Sequence, residues 1–191
     1  MNKRACGDEL FSDTFDRLFF LSLLAEAVRT TKIEIHAYCL MGNHFHLLVR
    51  TPEPTLDQAM RLIGGKYARY FNDRRERDGS VYRGRYRAIL VDSERYMLAV
   101  SRYIHRNAIA LGVTSLADYG WSSYSAFVGA RPAQEWLTLT ETLDLAGGAA
   151  KYEALVESPL LSEIEQLYSR RNLPTVIGTP DFKQQLRQRG A

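Results

Sequence analysis

A chain of 191 residues, 46% hydrophobic and 25% charged, has the balance of one ordinary soluble globular domain with room for a small appendage. No run approaches the roughly 18 consecutive apolar residues of a membrane span, and "MNKRACGDELFSD" has no apolar core of the kind a signal peptide needs, so a cytoplasmic protein without a membrane partner is expected. The net charge is only +3, and the two cysteines make no Cys-x-x-Cys pair and no disulfide framework; Cys39 is expected in a buried strand, Cys6 is incidental.

Phe11 to Arg29 carries apolar residues at helical spacing, with Ser12 or Asp13 available as amino-terminal cap. "KIEIHAYCL" then alternates, placing Ile33, Ile35, Ala37 and Cys39 on one side, and "HFHLLVR" follows after the turn-like "MGN". The two strands make a hairpin that Pro52 and Pro54 end. Leu56 to Arg77 returns to helical periodicity, although Gly64-Gly65 costs about 1 kcal/mol per glycine relative to alanine, so either the helix breaks there or something approaches its backbone. "DGSVYRGRYRAILVD" predicts a loop running into a strand over Tyr86 to Val91, and Ser93 caps a helix over Glu94 to Arg106. The order helix, strand, strand, helix, strand, helix predicts an α+β fold, an antiparallel sheet with helices packed on it. "DYGWSSYSAFVG" reads as irregular, and short helices are expected over Leu139 to Ala146, Lys151 to Val156 and Leu160 to Arg171, before a basic tail, "FKQQLRQRG".

The positive charge is regional. Residues 61 to 106 hold twelve Lys/Arg against five Asp/Glu, so this stretch is +7 and the remainder −4. Eleven of the twelve are arginine, the fork donor suited to phosphate, and Tyr67, Tyr70, Phe71, Tyr82 and Tyr86 are interleaved with them. That pattern suits a nucleic-acid face, with Arg61, Lys66, Arg69, Arg74, Arg75, Arg77, Arg83, Arg85 and Arg87 tracking phosphates and Tyr67, Tyr70 or Tyr82 stacking bases. The plainer alternative is a solvated helix surface.

In "CLMGNHFHLLVRTP", strand alternation puts His44, His46, Leu48 and Arg50 on one face and Phe45, Leu47 and Val49 on the other. The second face is expected to pack on helices and the histidine face to stay open. Two imidazoles ~7 Å apart on such a face can converge on a metal given a third ligand, or can be ordinary polar positions on a half-exposed strand. In "SRYIHRNAIALG", Tyr103 and Asn107 are four apart and share a helix face. They supply either a phenol nucleophile and an amide ligand, or a helix-end pair in which Asn107 is a cap.

Three ordered blocks, "AYCLMGNHFHLLVRTPEP", "YARYFNDRRERDGSVYRGRYRAILVD" and "YMLAVSRYIHRNAIALGV", resemble the REP-associated tyrosine transposases, a branch of the single-tyrosine HUH transposases of insertion sequences. The likeness runs from about Asn2 through "WSSYSAFVG" and continues weakly to the tail. It implies a ferredoxin-like (RRM-like) HUH nuclease fold over residues 1–130, followed by a helical extension over 131–191. It further implies His44 and His46 as ligands of Mg²⁺ or Mn²⁺, Asn107 as the third ligand and Tyr103 as the nucleophile. Neither Tyr67 nor Tyr70 has a ligand one turn on, since Phe71 and Arg74 stand there.

The activity so implied is metal-dependent cleavage and strand transfer of single-stranded DNA beside a palindromic, REP-like hairpin, through a 5′-phosphotyrosine, by a monomer or homodimer. The alternative is a palindrome-binding protein that no longer cuts. Relatives usually begin with an additional strand, which this chain is expected to lack, and Gly42 and Ala108 stand where many of them have proline.

Overall fold

In the computed structural model, which describes residues 2–3, 9–159 and 174–189, the first helix starts at an acidic cap. Asp13 accepts a hydrogen bond from the Asp16 backbone N–H, and α1 (Thr14–Thr31) runs until Lys32, whose φ of 57° closes the end with an N–H bond to the Val28 carbonyl. Its Phe20, Leu23, Leu24 and Ala27, at helical spacing, are buried against the sheet and the second helix. That helix, α2 (Leu56–Arg74), is continuous through Gly64-Gly65. The side of Gly64 is where the Tyr82 ring lies, 3.7 Å from the position a Cβ would take.

Strands β2 (Glu34–Leu40) and β3 (His44–Arg50) form the expected hairpin, antiparallel, closed by a Met41 N–H bond to the His44 carbonyl. The pairing runs Ile35↔Val49, then Ala37↔Leu48, so His36 is an inserted residue in a bulge. The bulge overturns the expected alternation. Ile33 and Ile35 pack with Tyr38, Leu40 and Phe45 on the α1/α2 side, whereas Ala37 and Cys39 point to the opposite face. Burial there pushes the Cys39 thiol up to about 12.

A further strand is present where none was expected. Asn2–Lys3, β1, pairs antiparallel with Phe45 and His44, giving the order β1-β3-β2. Beyond Phe45 the described residues pair β3 only with β2. The expected strand over 86–91 shrinks to β4 (Leu90–Val91) and leaves the main sheet; within it Arg87 and Ala88 are exposed and Tyr86 and Ile89 only half-buried, so it offers no buried face. It pairs instead, in parallel, with β5 (Val176–Ile177).

The histidine face is not open either. Helix α3 (Ser93–Arg106) lies over it, and Val100 and Ile104 pack with Ala37, Cys39 and Leu48. A 3₁₀ turn over Asn107–Leu111 follows and ends at Gly112, whose φ of 73° suits glycine. The outer edge of β2 is covered rather than exposed: Leu40 N–H bonds the Trp121 carbonyl, Ser123 N–H the Tyr38 carbonyl, and Thr138 N–H the Ile35 carbonyl. Within the segment expected to be irregular, Tyr124–Phe127 is one helical turn, α4. Thr140–Ala146 (α5) and Ala149–Glu157 (α6) take the expected helical positions, and the described part of the basic tail, through Arg189, lies in a helix, α7 (Pro180–Arg189). The helix expected over 160–171 and Cys6 lie outside the described residues. No described helix is long and apolar enough to cross a membrane.

Candidate active site

The hairpin and α3 bring three rings together. His44 and His46 are next-but-one on β3, their ring centroids 5.0 Å apart and the planes at 77°. The Tyr103 ring stands edge-on to His46 at 5.6 Å, planes at 89°. His46 is 5% exposed, so it belongs to the packed layer under α3 rather than to an open surface. The carboxamide oxygen of Asn43 lies 2.6 Å from His44 Nδ1. With that nitrogen donating, His44 presents Nε2 as its electron pair, an arrangement common around metal-binding imidazoles.

Asn107 sits one turn beyond Tyr103, at the carboxy-terminal cap of α3. Its amide nitrogen donates to the Tyr103 carbonyl at 2.8 Å, which leaves the carboxamide oxygen as its electron-pair end. No group of three His, Cys, Asp or Glu among the described residues could hold a metal ion. Two imidazoles with a carboxamide oxygen are nonetheless a chemically suitable donor set for Mn²⁺ or Mg²⁺, and the third donor is then necessarily of a different kind from the first two.

Two further buried histidines, which the sequence did not single out, have separate surroundings. His105 is fully buried between Ser123 and Tyr152, and desolvation pushes its pKa down to about 3, so the ring is neutral. Another, His36, is 1% exposed, with Nε2 3.5 Å from a Glu34 oxygen and 3.8 Å from Glu141; burial lowers its pKa while those carboxylates oppose the shift. Arg50 closes that group by bonding Glu34 through Nε at 2.6 Å and Glu141 at 3.1 Å. A cavity of about 410 Å³ runs from His46 along β3 to Arg50, walled by Tyr86–Val91 and α3.

The residues expected to meet DNA divide sharply. Tyr67 is wholly buried, its hydroxyl donating to the Leu10 carbonyl at 2.6 Å, and burial raises its pKa; no base can stack on it. The Tyr82 hydroxyl is buried as well, with its ring against Gly64. Tyr70 is stacked on Phe19 at 4.1 Å.

Arg74 and Arg75 are fastened to α1: Arg74 bonds Asp13 and Asp16, and Arg75 bonds Asp16 at 2.6 Å. Arg61 pairs with Asp57 and Lys66 with Glu26. Arg77 lies 6.0 Å over the Phe71 ring. Arg102 and Arg106, part of the same charge run, donate to carbonyls at the end of α6, those of Leu155, Ser158 and Val156. Arg69 and, on the 83–87 loop, Arg83, Arg85 and Arg87 are exposed. Charge density along the chain overstated the face because half of these cations neutralise carboxylates or cap a helix, which only contacts between distant segments reveal.

The family model described as "Transposase IS200 like" matches residues 8–107 of this chain, slightly more than half of it. Among solved structures, that of a REP-associated tyrosine transposase bound to a REP hairpin superposes with a TM-score of 0.51, covering 84% of this chain and 89% of that one at 15% identity, a likeness of fold. No curated protein matches.

Proposed function

The chain belongs to the IS200-like transposase family, and from that premise we propose that it cuts and rejoins single-stranded DNA beside a palindromic, REP-like hairpin, with Tyr103 as nucleophile. The observation that supports this most directly is the convergence of three rings from two elements, His44 and His46 on β3 and Tyr103 on α3.

A phenol with a pKa near 10 is a weak nucleophile at neutral pH and needs a polarised target. Held by His44, His46 and the Asn107 carboxamide oxygen, Mg²⁺ or Mn²⁺ would supply Lewis-acid polarisation of the scissile phosphate. Tyr103 Oη attacks phosphorus and the P–O3′ bond breaks, leaving a 5′-phosphotyrosine and a 3′-hydroxyl. The phenol loses one proton and the leaving 3′ oxygen gains one, so the step is balanced. A later 3′-hydroxyl reverses it without a nucleotide cofactor, since one phosphodiester is exchanged for another. Asn107 holds the last turn of α3 by its bond to the Tyr103 carbonyl, which keeps the phenol from fraying away with the helix end. Arg83, Arg85 and Arg87, on the loop that walls the cavity beside His46, suit the phosphates of the strand that reaches it.

The second reading, a hairpin binder that no longer cuts, draws on the same Asn107 contact, an ordinary helix cap. Tyr103→Phe separates them. The variant keeps the ring and its packing, so hairpin binding persists, while the covalent adduct that the wild-type protein forms with a labelled hairpin oligonucleotide and Mn²⁺ is lost. An adduct retained by the phenylalanine variant makes another residue the nucleophile; none with the wild-type protein favours the binder.

A further inference from the structure

Helix α3 carries the candidate nucleophile at its last turn, yet its apolar contacts with the sheet, Val100 and Ile104 on Ala37 and Cys39, are non-directional and resist sliding or rotation only weakly. Directional contacts are added by polar bonds: Arg102 and Arg106 bond α6 carbonyls, and His105 reaches both α6 and the β2 edge. His105 Nε2 lies 2.7 Å from Ser123 Oγ and its Nδ1 2.8 Å from the Tyr152 hydroxyl. Tyr152, on α6, also donates to Ser101 Oγ at 3.0 Å, one turn earlier on α3. Ser123 Oγ in turn accepts the Tyr38 backbone N–H at 2.9 Å, and Tyr38 and Cys39 of β2 are the pairing partners of Leu47 and His46 on β3.

An unbroken series of polar contacts therefore links the helix bearing Tyr103 to the strand paired with His46. The ring is also enclosed by aromatic neighbours, Phe127 at 5.0 Å and Tyr124 at 5.5 Å, so it cannot reorient without disturbing them. A neutral imidazole has one donor and one acceptor nitrogen, and both are used here in opposite directions.

We propose that His105 is a positioning residue that clamps α3 between β2 and α6 and so sets the distance and angle of the Tyr103 phenol over the His46 ring. It touches neither DNA nor metal. The proposal rests on Tyr103 being the nucleophile, and its consequence is kinetic: a displacement of about 1 Å between reacting groups costs on the order of 100-fold in rate.

The test uses the full chain in four forms: wild type, His105→Phe, His105→Gln, whose amide can still reach Ser123, and Tyr152→Phe. Three quantities are measured on each: the single-turnover rate of adduct formation with a hairpin oligonucleotide and Mn²⁺, the hairpin Kd, and the NMR signals of the His46 ring, which the edge-on Tyr103 ring shifts. His105→Phe is expected to slow adduct formation by about 10- to 100-fold with Kd unchanged, and to move the His46 signals. His105→Gln should recover part of the rate, and Tyr152→Phe should show a smaller reduction of the same kind. Wild-type rate and unmoved His46 signals in His105→Phe, even with a lowered Tm, overturn the proposal. If His105→Phe does not fold, Tyr152→Phe decides by the same readings. If the wild-type protein forms no adduct, the nucleophile reading fails, and the His46 signals alone decide whether His105 sets the ring geometry.

Discussion

His44 and His46 have the same residue type and face of one strand, yet their surroundings differ. His46 is 5% exposed under α3, whereas His44 is intermediate and bonded to the neighbouring Asn43. Alanine at either position should abolish Mn²⁺-dependent adduct formation. Only His46→Ala should also lower stability, by about 1–2 kcal/mol, because it empties space in a packed layer. Urea unfolding of both variants checks this, and equal destabilisation of the two would count against the placement of His46.

Tyr67→Phe is the complementary case. It removes the bond to the Leu10 carbonyl and should cost about 1 kcal/mol while leaving hairpin affinity unchanged, the opposite of what a base-stacking tyrosine would do. Weaker DNA binding at unchanged stability would restore Tyr67 to the DNA face.

Between elements, charge holds α1 against α2. Asp16 is wholly buried at the start of α1; burial opposes its ionisation, but hydrogen bonds from Arg75, the Ser12 N–H and Arg74 outweigh it and hold the pKa below 3.8. A depressed folded-state pKa gives a contribution that is complete above the unfolded value, near pH 4, and is lost as pH falls through the folded value. Stability should therefore fall below about pH 4, with a slope of at most about 1.4 kcal/mol per pH unit from this group. Asp16→Asn should lower stability at neutral pH and flatten that acid limb in urea titrations; an unflattened limb would assign the acid sensitivity elsewhere. Arg74 and Arg75 are poor subjects for a DNA-binding test for the same reason, since reversing their charge leaves the buried Asp16 carboxylate without its partners and so changes stability as well as any phosphate contact.

Across the whole molecule, the sheet is covered on one face by α1 and α2 and on the other by α3, with α5 and α6 in the same apolar cluster, and Arg83, Arg85 and Arg87 sit on the loop that walls the cavity beside His46. Reversing Arg83 and Arg85 to glutamate should weaken hairpin binding in all sequences alike and reduce the slope of log K against log salt by roughly one for each phosphate no longer neutralised, with stability untouched. Fluorescence anisotropy over a salt series measures it; an unchanged slope would move the DNA face off this loop.

Local pattern alone placed the elements to within a few residues: the second hairpin strand at 44–50, helices expected over 11–29 and 94–106 and found at 14–31 and 93–106, and a His-Phe-His strand with Tyr103 and Asn107 one helical turn apart. These follow from periodicity and caps, which act over a few residues and are written in order along the chain. Which groups meet was decided by the fold. One inserted residue, His36, reversed the faces of β2, and nothing in an alternating strand announces a bulge. Tyr67 and Tyr70, three residues apart on one helix, differ in burial because α1 covers one more deeply than the other. Arg74, Arg75, Arg102 and Arg106 find partners 50 to 61 residues away, and His105 finds Tyr152 at a separation of 47. Contacts at such separations depend on how layers pack, and packing is a property of the folded chain rather than of any window of it.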